Sequence, residues 1–362
     1  MIAPTYTEYW VALSLIPGLG NESYRKLLSA FGDPEQIFAT PYAALKQIVR
    51  EPVARSISNG IDLASTCITN EWLAQPNNHV ITLADADYPK ALLQIPDPPP
   101  LLYLKGQRKL LNQASLSIVG SRNATPQGMK NAEAFALSLS NSSYCIVSGL
   151  ALGIDAAAHR GGLNGNASSL AVVGTGLDIV YPARHRALAH ELAEKGALLS
   201  EYPLGTPAIA GNFPKRNRII SGLTRGCLVV EAARQSGSLI TARFAVEQGK
   251  EVFAIPGSIH SPLSKGCHDL IKQGAKLVEC AQDIIEELGH PVSTASSPSD
   301  ACTEISSTDH PLLNHLGYET ADIDSLAGRS GLTADRVCAM LLELELEGRV
   351  ASLPGGLYQR IC

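Results

Sequence analysis

The chain has 362 residues, 45% of them hydrophobic and 17% charged, with a net charge of −5. That length predicts two or three domains, and the composition is that of a globular protein that buries a core. So mild a charge excludes no class of partner, because a nucleic-acid binder can gather its basic residues on one face. The charge therefore has to be read locally.

None of the eight cysteines forms a C-x-x-C pair, so no zinc site or other metal is expected. Cys145 and Cys227 fall in apolar, strand-like runs and read as reduced core thiols. The N-terminal residues lack the charged and apolar regions of a signal peptide. No apolar stretch approaches the ~20 residues that span a membrane. The expected compartment is the reducing cytoplasm, with no membrane partner.

Residues 1–80 read as a helical domain. Tyr9–Leu13 leads into Ile16-Pro17-Gly18-Leu19-Gly20, and Asn21 is placed to cap a helix running to Phe31 and Gly32. Helix, tight Pro-Gly turn, helix is a helix–hairpin–helix pattern. Its turn either offers N–H groups to a phosphate, with Arg25 and Lys26 nearby, or simply joins two helices of a bundle. Pro96-Asp97-Pro98-Pro99-Pro100 is a stiff, extended connector within the next unit, residues 81–290.

After the connector, apolar strands alternate with helices. Strands are expected near Leu116–Val119, Tyr144–Val147, Leu170–Val173, Ala197–Ser200, Leu228–Glu231, Val252–Ile255 and Lys276–Val278. Amphipathic segments such as Met129–Leu139 and Leu239–Gln248 fill the gaps. This order predicts a Rossmann-like parallel sheet covered on both faces, with a ligand crevice at the carboxyl ends of its strands. Residues 291–310, rich in Ser, Thr, Pro and Ala, read as a flexible linker. Residues 311–362 read as short helices at Leu312–Leu316 and Ala321–Ala327, a longer one at Thr333–Leu346, and a hairpin turning at Leu353–Gly356. That is the order of a winged helix.

The loops at the strand ends carry the chemistry. The first expected strand runs into Gly120-Ser121-Arg122, where glycine N–H groups, a helix N-terminus and a guanidinium can meet one anion. The second runs into Ser148-Gly149-Leu150-Ala151-Leu152-Gly153, the third into Gly174-Thr175-Gly176. The fifth is followed by Gln235-Ser236-Gly237-Ser238, with Ser238 placed as a helix cap. None of these loops matches G-x-G-x-x-G or G-x-x-x-x-G-K-[ST], so neither an NAD nor a Walker-type ATP site is expected, and no cofactor is implied.

The richest segment runs from Gly211 to Arg225. It holds Lys215, Arg216, Arg218 and Arg225 with no acidic residue, and Phe213 stands beside them. A positive stripe with an aromatic face suits an unpaired strand. Alternatively, these arginines pair with Glu201 and Glu231. Asp155 and His159 lie one helical turn apart, and Asp155 reads as a helix-start carboxylate facing backbone amides rather than as part of a catalytic set. Glu231 is placed to orient an arginine. From Pro311 onward there are four arginines, no lysine and seven acidic residues, which is poor electrostatics for DNA.

Val119–Arg122, Ser148–Asp155, Phe213–Ile220 and Glu231-Ala232 through Ser236–Leu239 together resemble the DNA-processing protein A (DprA/Smf) family. The likeness covers nearly the whole chain, in the right order. It implies a helical N-terminal domain of SAM or helix–hairpin–helix type, an extended Rossmann core and a winged-helix tail. It further implies a non-enzymatic protein that binds and protects incoming single-stranded DNA in natural transformation, helps load the recombinase RecA, and forms a homodimer through the core. Arg122 matches the arginine of the family's glycine-x-arginine loop, and Lys215, Arg216, Asn217 and Arg218 match its basic motif. With the loop residues, the candidate DNA-binding set is Gly120, Ser121, Arg122, Gly149, Phe213, Lys215, Arg216, Asn217, Arg218, Gly237 and Ser238. The alternative is a nucleotide-binding enzyme of the phosphoribohydrolase kind, with Glu231 as its base. Such an enzyme wants a Gly-Gly-x-Gly-Thr loop before the glutamate, where this chain has Val229-Val230-Glu231-Ala232.

Overall fold

The structure is a computed structural model that describes residues 4–291, 310–318 and 320–361. The interior of the expected linker, 292–309, lies outside the described residues.

Nine strands form one sheet: β1 (Asn78–Thr82), β2 (Leu101–Gly106), β3 (Ser115–Val119), β4 (Cys145–Ser148), β5 (Ser169–Val172), β6 (Ala197–Ser200), β7 (Gly226–Val229), β8 (Glu251–Ala254) and β9 (Lys276–Leu277). Their order is β1-β2-β6-β5-β4-β3-β7-β8-β9. From β6 to β9 every pairing is parallel, while β1–β2 and β2–β6 are antiparallel. The chain lays down β3 to β6 in one direction, then returns to the other side of β3 for β7 to β9. The order therefore reverses between β3 and β7, which is where an open α/β sheet leaves a crevice beyond its carboxyl ends.

The seven expected strands correspond to β3–β9. The antiparallel pair β1 and β2 was not among them. Their runs Asn-His-Val-Ile-Thr and Leu-Leu-Tyr-Leu-Lys-Gly include polar residues, and a proline-rich stretch adjoins the second. Pairing makes them strands: β2 against β6, and β1 against β2. β1 also straddles the expected boundary between residues 80 and 81.

Side chains alternate across the sheet, as a strand's period of two requires. Leu116, Ile118, Ile146, Leu228 and Phe253 pack on one face with Ala132, Phe135, Leu139, Ala158 and Ile284. On the other face Val119, Val147, Cys227 and Val229 pack with Ile219, Ile220, Leu223, Ala242 and Cys267. The helices Pro126–Asn141 and Ile154–Asn164 thus cover the first face, and Asn212–Leu223 and Ser238–Glu247 the second. Cys145, Cys227 and Cys267 are buried free thiols.

The N-terminal helices do not stand apart. Trp10, Leu13, Leu27, Ile57 and Trp72 share one apolar cluster with Leu101, Tyr103 and Leu198 of the sheet. Asn21 is not the cap expected of it: Gly20 caps, and Asn21 is the first helical residue, reaching Glu201 at 3.2 Å. Arg25 donates to Asp97 and to the Pro98 carbonyl at 2.7 Å each. Lys26 pairs with Glu22. The two cations of the helix–hairpin–helix pattern are thus engaged by the protein itself.

In the C-terminal residues, helices Pro311–Leu316, Ile323–Ser330 and Ala334–Leu346 enclose an apolar cluster with a sheet ordered β10-β12-β11. Its strands are β10 (Ala321–Asp322), β11 (Val350–Leu353) and β12 (Leu357–Arg360). This is a winged helix. The helix expected from Ala321 starts at Ile323 because the Asp322 carboxylate accepts from Ser325 N at 2.6 Å and caps it. Among the described residues no helix is long and apolar enough to cross a membrane.

Candidate nucleic-acid interface

A cleft of about 660 Å³ opens where the sheet order reverses. Its wall includes Gly120, Ser121 and Arg122 after β3, Ala151 after β4, and Gln235–Ser238 after β7. Phe213, Arg216 and Asn217 of the helix Asn212–Leu223 line the opposite side. The loops after β3, β4 and β7 thus converge as the fold class predicts, while Gly174-Thr175-Gly176 after β5 stays out of the wall.

The β3 loop is held from behind. A Cβ on Gly120 would come within 2.6 Å of Ile154 and 2.9 Å of the Glu231 carbonyl, so only glycine fits. Ser121 N donates to Glu231 O at 2.7 Å, and the Ser121 hydroxyl accepts from Asn123 N at 3.2 Å. Ile154 N donates to Ser121 O at 3.2 Å. With its neighbours pinned, Arg122 sits exposed at the tip. Among the described residues it forms no ion pair.

Helix N-termini around the cleft divide into two kinds. That of Pro126–Asn141 is closed by the protein's own carboxylate: Glu231 accepts from Thr125 N at 2.9 Å and Thr125 Oγ1 at 2.6 Å, and a Cβ on Gly128 would collide with it. Glu231 therefore braces a helix start; it does not orient an arginine. Burial pushes its carboxyl up, against the Thr125 hydrogen bonds. That of Ile154–Asn164 holds Asp155, which accepts from Gly149 N at 3.1 Å and Ala151 N at 3.3 Å. Asp155 is the helix-start carboxylate expected of it, its carboxyl pushed up by burial and opposed by Arg216. The helices Asn212–Leu223 and Ser238–Glu247 start differently. Gly211 and Gly237 cap them without a side-chain bond, and neither has an acidic residue in its first turn. Ser238 is thus the first helical residue and not the cap. Ser238 N donates to Ser236 Oγ at 3.4 Å and Asn212 N to Ile209 O at 3.0 Å, so what these two N-termini offer an outside anion is the positive end of the helix dipole.

The basic stripe does not survive folding as a stripe. Arg216 is 4% exposed. Its guanidinium donates to Gly149 O at 2.8 Å and also to Val172 O, and its Nε has no partner. Burial, with the nearby Arg122 charge adding to it, lowers its pKa to about 10, while Asp155 and Tyr202 oppose the shift. Gly149 is glycine because a Cβ would lie 2.4 Å from that guanidinium. Its N–H and carbonyl are both engaged within the protein, so it is not a free phosphate ligand. Arg218 is turned inward too, bonded to Glu201 at 2.6 and 3.1 Å and to Asp97 at 3.2 Å. Burial opposes those carboxylates, yet its pKa stays raised. Lys215 is exposed but does not line the cleft. The expected pairing of these arginines with Glu201 holds for Arg218, and that with Glu231 does not occur.

Phe213 lies over Gly174, 3.1 Å from where a Cβ would stand, and tilts against Tyr181 with ring centroids 5.4 Å apart. Tyr181 is 51% exposed and lines the cleft beside it. Sequence reasoning missed Tyr181, which sits in a loop without charge or glycine spacing to mark it. Asn217 joins the wall by donating to Gly237 O at 3.4 Å.

The cleft thus brings together Gly120, Ser121, Arg122, Phe213, Arg216, Asn217, Gly237 and Ser238 and leaves out Gly149, Lys215 and Arg218. It offers one open guanidinium, a buried second one in its floor, two helix N-termini without an acidic residue in the first turn and an aromatic pair. Such a surface holds a phosphate and a flat ring.

Residues 79–289 match the family model for DNA recombination-mediator protein A, and residues 292–356 that for the DprA winged helix domain. Protein Smf of Escherichia coli (strain K12) is 45% identical over 299 residues, 80% of this chain and 79% of that protein. The X-ray structure of DNA processing protein A from Streptococcus pneumoniae superposes with a TM-score of 0.70 at 39% identity, covering 79% of this chain and 99% of that one. DNA processing protein A from Helicobacter pylori, which binds single-stranded DNA, superposes with a TM-score of 0.53 at 32% identity, covering 58% and 95%.

Proposed function

Since the chain belongs to the DNA recombination-mediator protein A family, also called DprA or Smf, we propose that it binds single-stranded DNA in the cleft beyond β3 and β7. The observation that carries this reading is the convergence of Arg122, two helix N-termini with no acidic residue in their first turn and the Phe213–Tyr181 pair on one cavity. Arg122 clamps a phosphate, the positive end of the helix Ser238–Glu247 attracts a second, and the aromatic pair stacks a base. Backbone contacts of this kind do not read sequence. The role is one of binding and protection in the cytoplasm, without bond-breaking chemistry, during uptake and recombination of DNA. A homodimer handing the strand to RecA is the family-level extension of this reading. A hydrolase reading finds less support, because the Glu231 carboxylate is already engaged by Thr125.

The test is anisotropy of labelled single- and double-stranded oligonucleotides across a salt series. The single strand should bind more tightly. Arg122→Ala should weaken it alike for all sequences and lower the salt slope by about 0.7. Unchanged affinity and slope would remove Arg122 from the site.

A further inference from the structure

At the opposite, amino ends of the same strands lies a second cavity of about 470 Å³. Three cations line it from three separate segments: Lys90 on the short helical turn Lys90–Gln94, Arg225 just before β7, and Lys250 just before β8. Each is fixed by its own main chain. Lys90 N donates to Asn112 Oδ1 at 3.2 Å, Arg225 N to Ser115 O at 2.9 Å, and Lys250 N to Ala245 O at 2.8 Å. None of the three forms an ion pair among the described residues. The one carboxylate in the lining, Asp87, is held by both prongs of Arg108. Arg225 is also one of the cations of the Gly211–Arg225 segment that do not line the cleft.

Like charges gathered in a recess raise one another's energy unless an anion joins them. Lys250 registers this strain: burial and then the Arg225 charge hold its ammonium below the usual lysine range. Asn112, Gln113 and Thr224 add polar atoms to the lining, and Leu111 and Leu223 give it apolar walls. The volume suits a nucleotide-sized ligand.

We propose that this recess is a second anion site that takes a phosphate ester, with Arg225 as its bidentate clamp and Lys90 and Lys250 flanking. The five-residue strand β3 separates it from the cleft, by roughly 16 Å at the rise of an extended chain. One phosphate therefore cannot serve both sites. The ligand is either a free nucleotide or diphosphate, or a phosphate of a strand that continues around the sheet edge.

The test uses the full-length Arg122→Ala protein, so that the cleft is weakened independently. Inorganic pyrophosphate, dAMP and a single-stranded oligonucleotide are titrated by calorimetry. Pyrophosphate should bind saturably, and Arg225→Gln or Lys250→Gln should each weaken it about tenfold, with Arg225→Lys recovering part of the loss. Binding of dAMP without competition by the oligonucleotide supports the free ligand; competition supports the strand. Should a variant fail to fold, amide shifts on adding pyrophosphate test the same site: shifts centred on Lys90, Arg225 and Lys250 support it, and shifts elsewhere count against it. Absence of saturable binding by every probe, or binding indifferent to both substitutions, would overturn the site. Neither result bears on the cleft, which the Arg122 salt series tests separately.

Discussion

The loop Gly120–Arg122 and the helical segment Phe213–Arg218 both present arginines beside the same cleft, yet the protein uses them in opposite ways. Arg122 stands in solvent with its neighbours pinned. Arg216 and Arg218 are drawn inward, one onto the carbonyls of Gly149 and Val172, the other onto Glu201 and Asp97. The lesson is that a guanidinium serves structure where the fold surrounds it with acceptors, and binding where it does not.

The sharpest way to break the comparison is to remove an arginine from each side. Arg216→Met should cost about 3 kcal/mol of stability, because it leaves two carbonyls unpaired and Asp155 buried without its cation. Arg122→Ala should stay within about 0.5 kcal/mol of the parent. Urea unfolding of both proteins decides; equal losses would erase the distinction. Arg218→Ala should lose about 2 kcal/mol, less than a fully buried pair because its side chain is 12% exposed. The same unfolding experiment measures it, with Arg218→Lys recovering little because the fork is lost.

The interior side of the comparison also has a proton signature. His159 is buried, accepts from Leu150 N and is hydrogen-bonded to Ser169, and burial holds its pKa down to about 3 from an ordinary 6.5. Its folded pKa is depressed, so the neutral ring stabilises the fold fully above pH 6.5. As pH falls below that, the unfolded chain takes up a proton that the folded one refuses. Stability should drop by about 1.7 kcal/mol between pH 6.5 and 5 from this residue alone. His159→Gln should flatten that slope in unfolding curves taken across the range. The smallest expected effect is that of Lys215→Ala. It should leave stability unchanged and weaken single-strand binding only about threefold, since Lys215 lies outside the cleft wall.

Much of this was legible in the residues. Continuous apolar runs such as Ser-Leu-Ser-Ile-Val at β3 mark buried parallel strands, and glycines after them mark the crevice. Asp155 was legible as well, since a carboxylate one residue into a helix has nearby amides to accept from. Strands β1 and β2 were not, because their strand character comes from pairing, β2 with β6 and β1 with β2, and not from local pattern. The roles of Arg216, Arg218 and Glu231 were hidden for a related reason: their partners lie 67, 17 and 106 positions away in the chain.

Local pattern by itself determined the alternation of strand and helix, the crevice at the strand ends and the identity of the loops that meet there, because periodicity and glycine act over a few residues. Which cations face the crevice, which are turned into braces, and where the surplus charge of Arg225 collects were decided only by the tertiary structure. A guanidinium's use depends on the acceptors and solvent around it, and folding brings those acceptors together from distant parts of the chain.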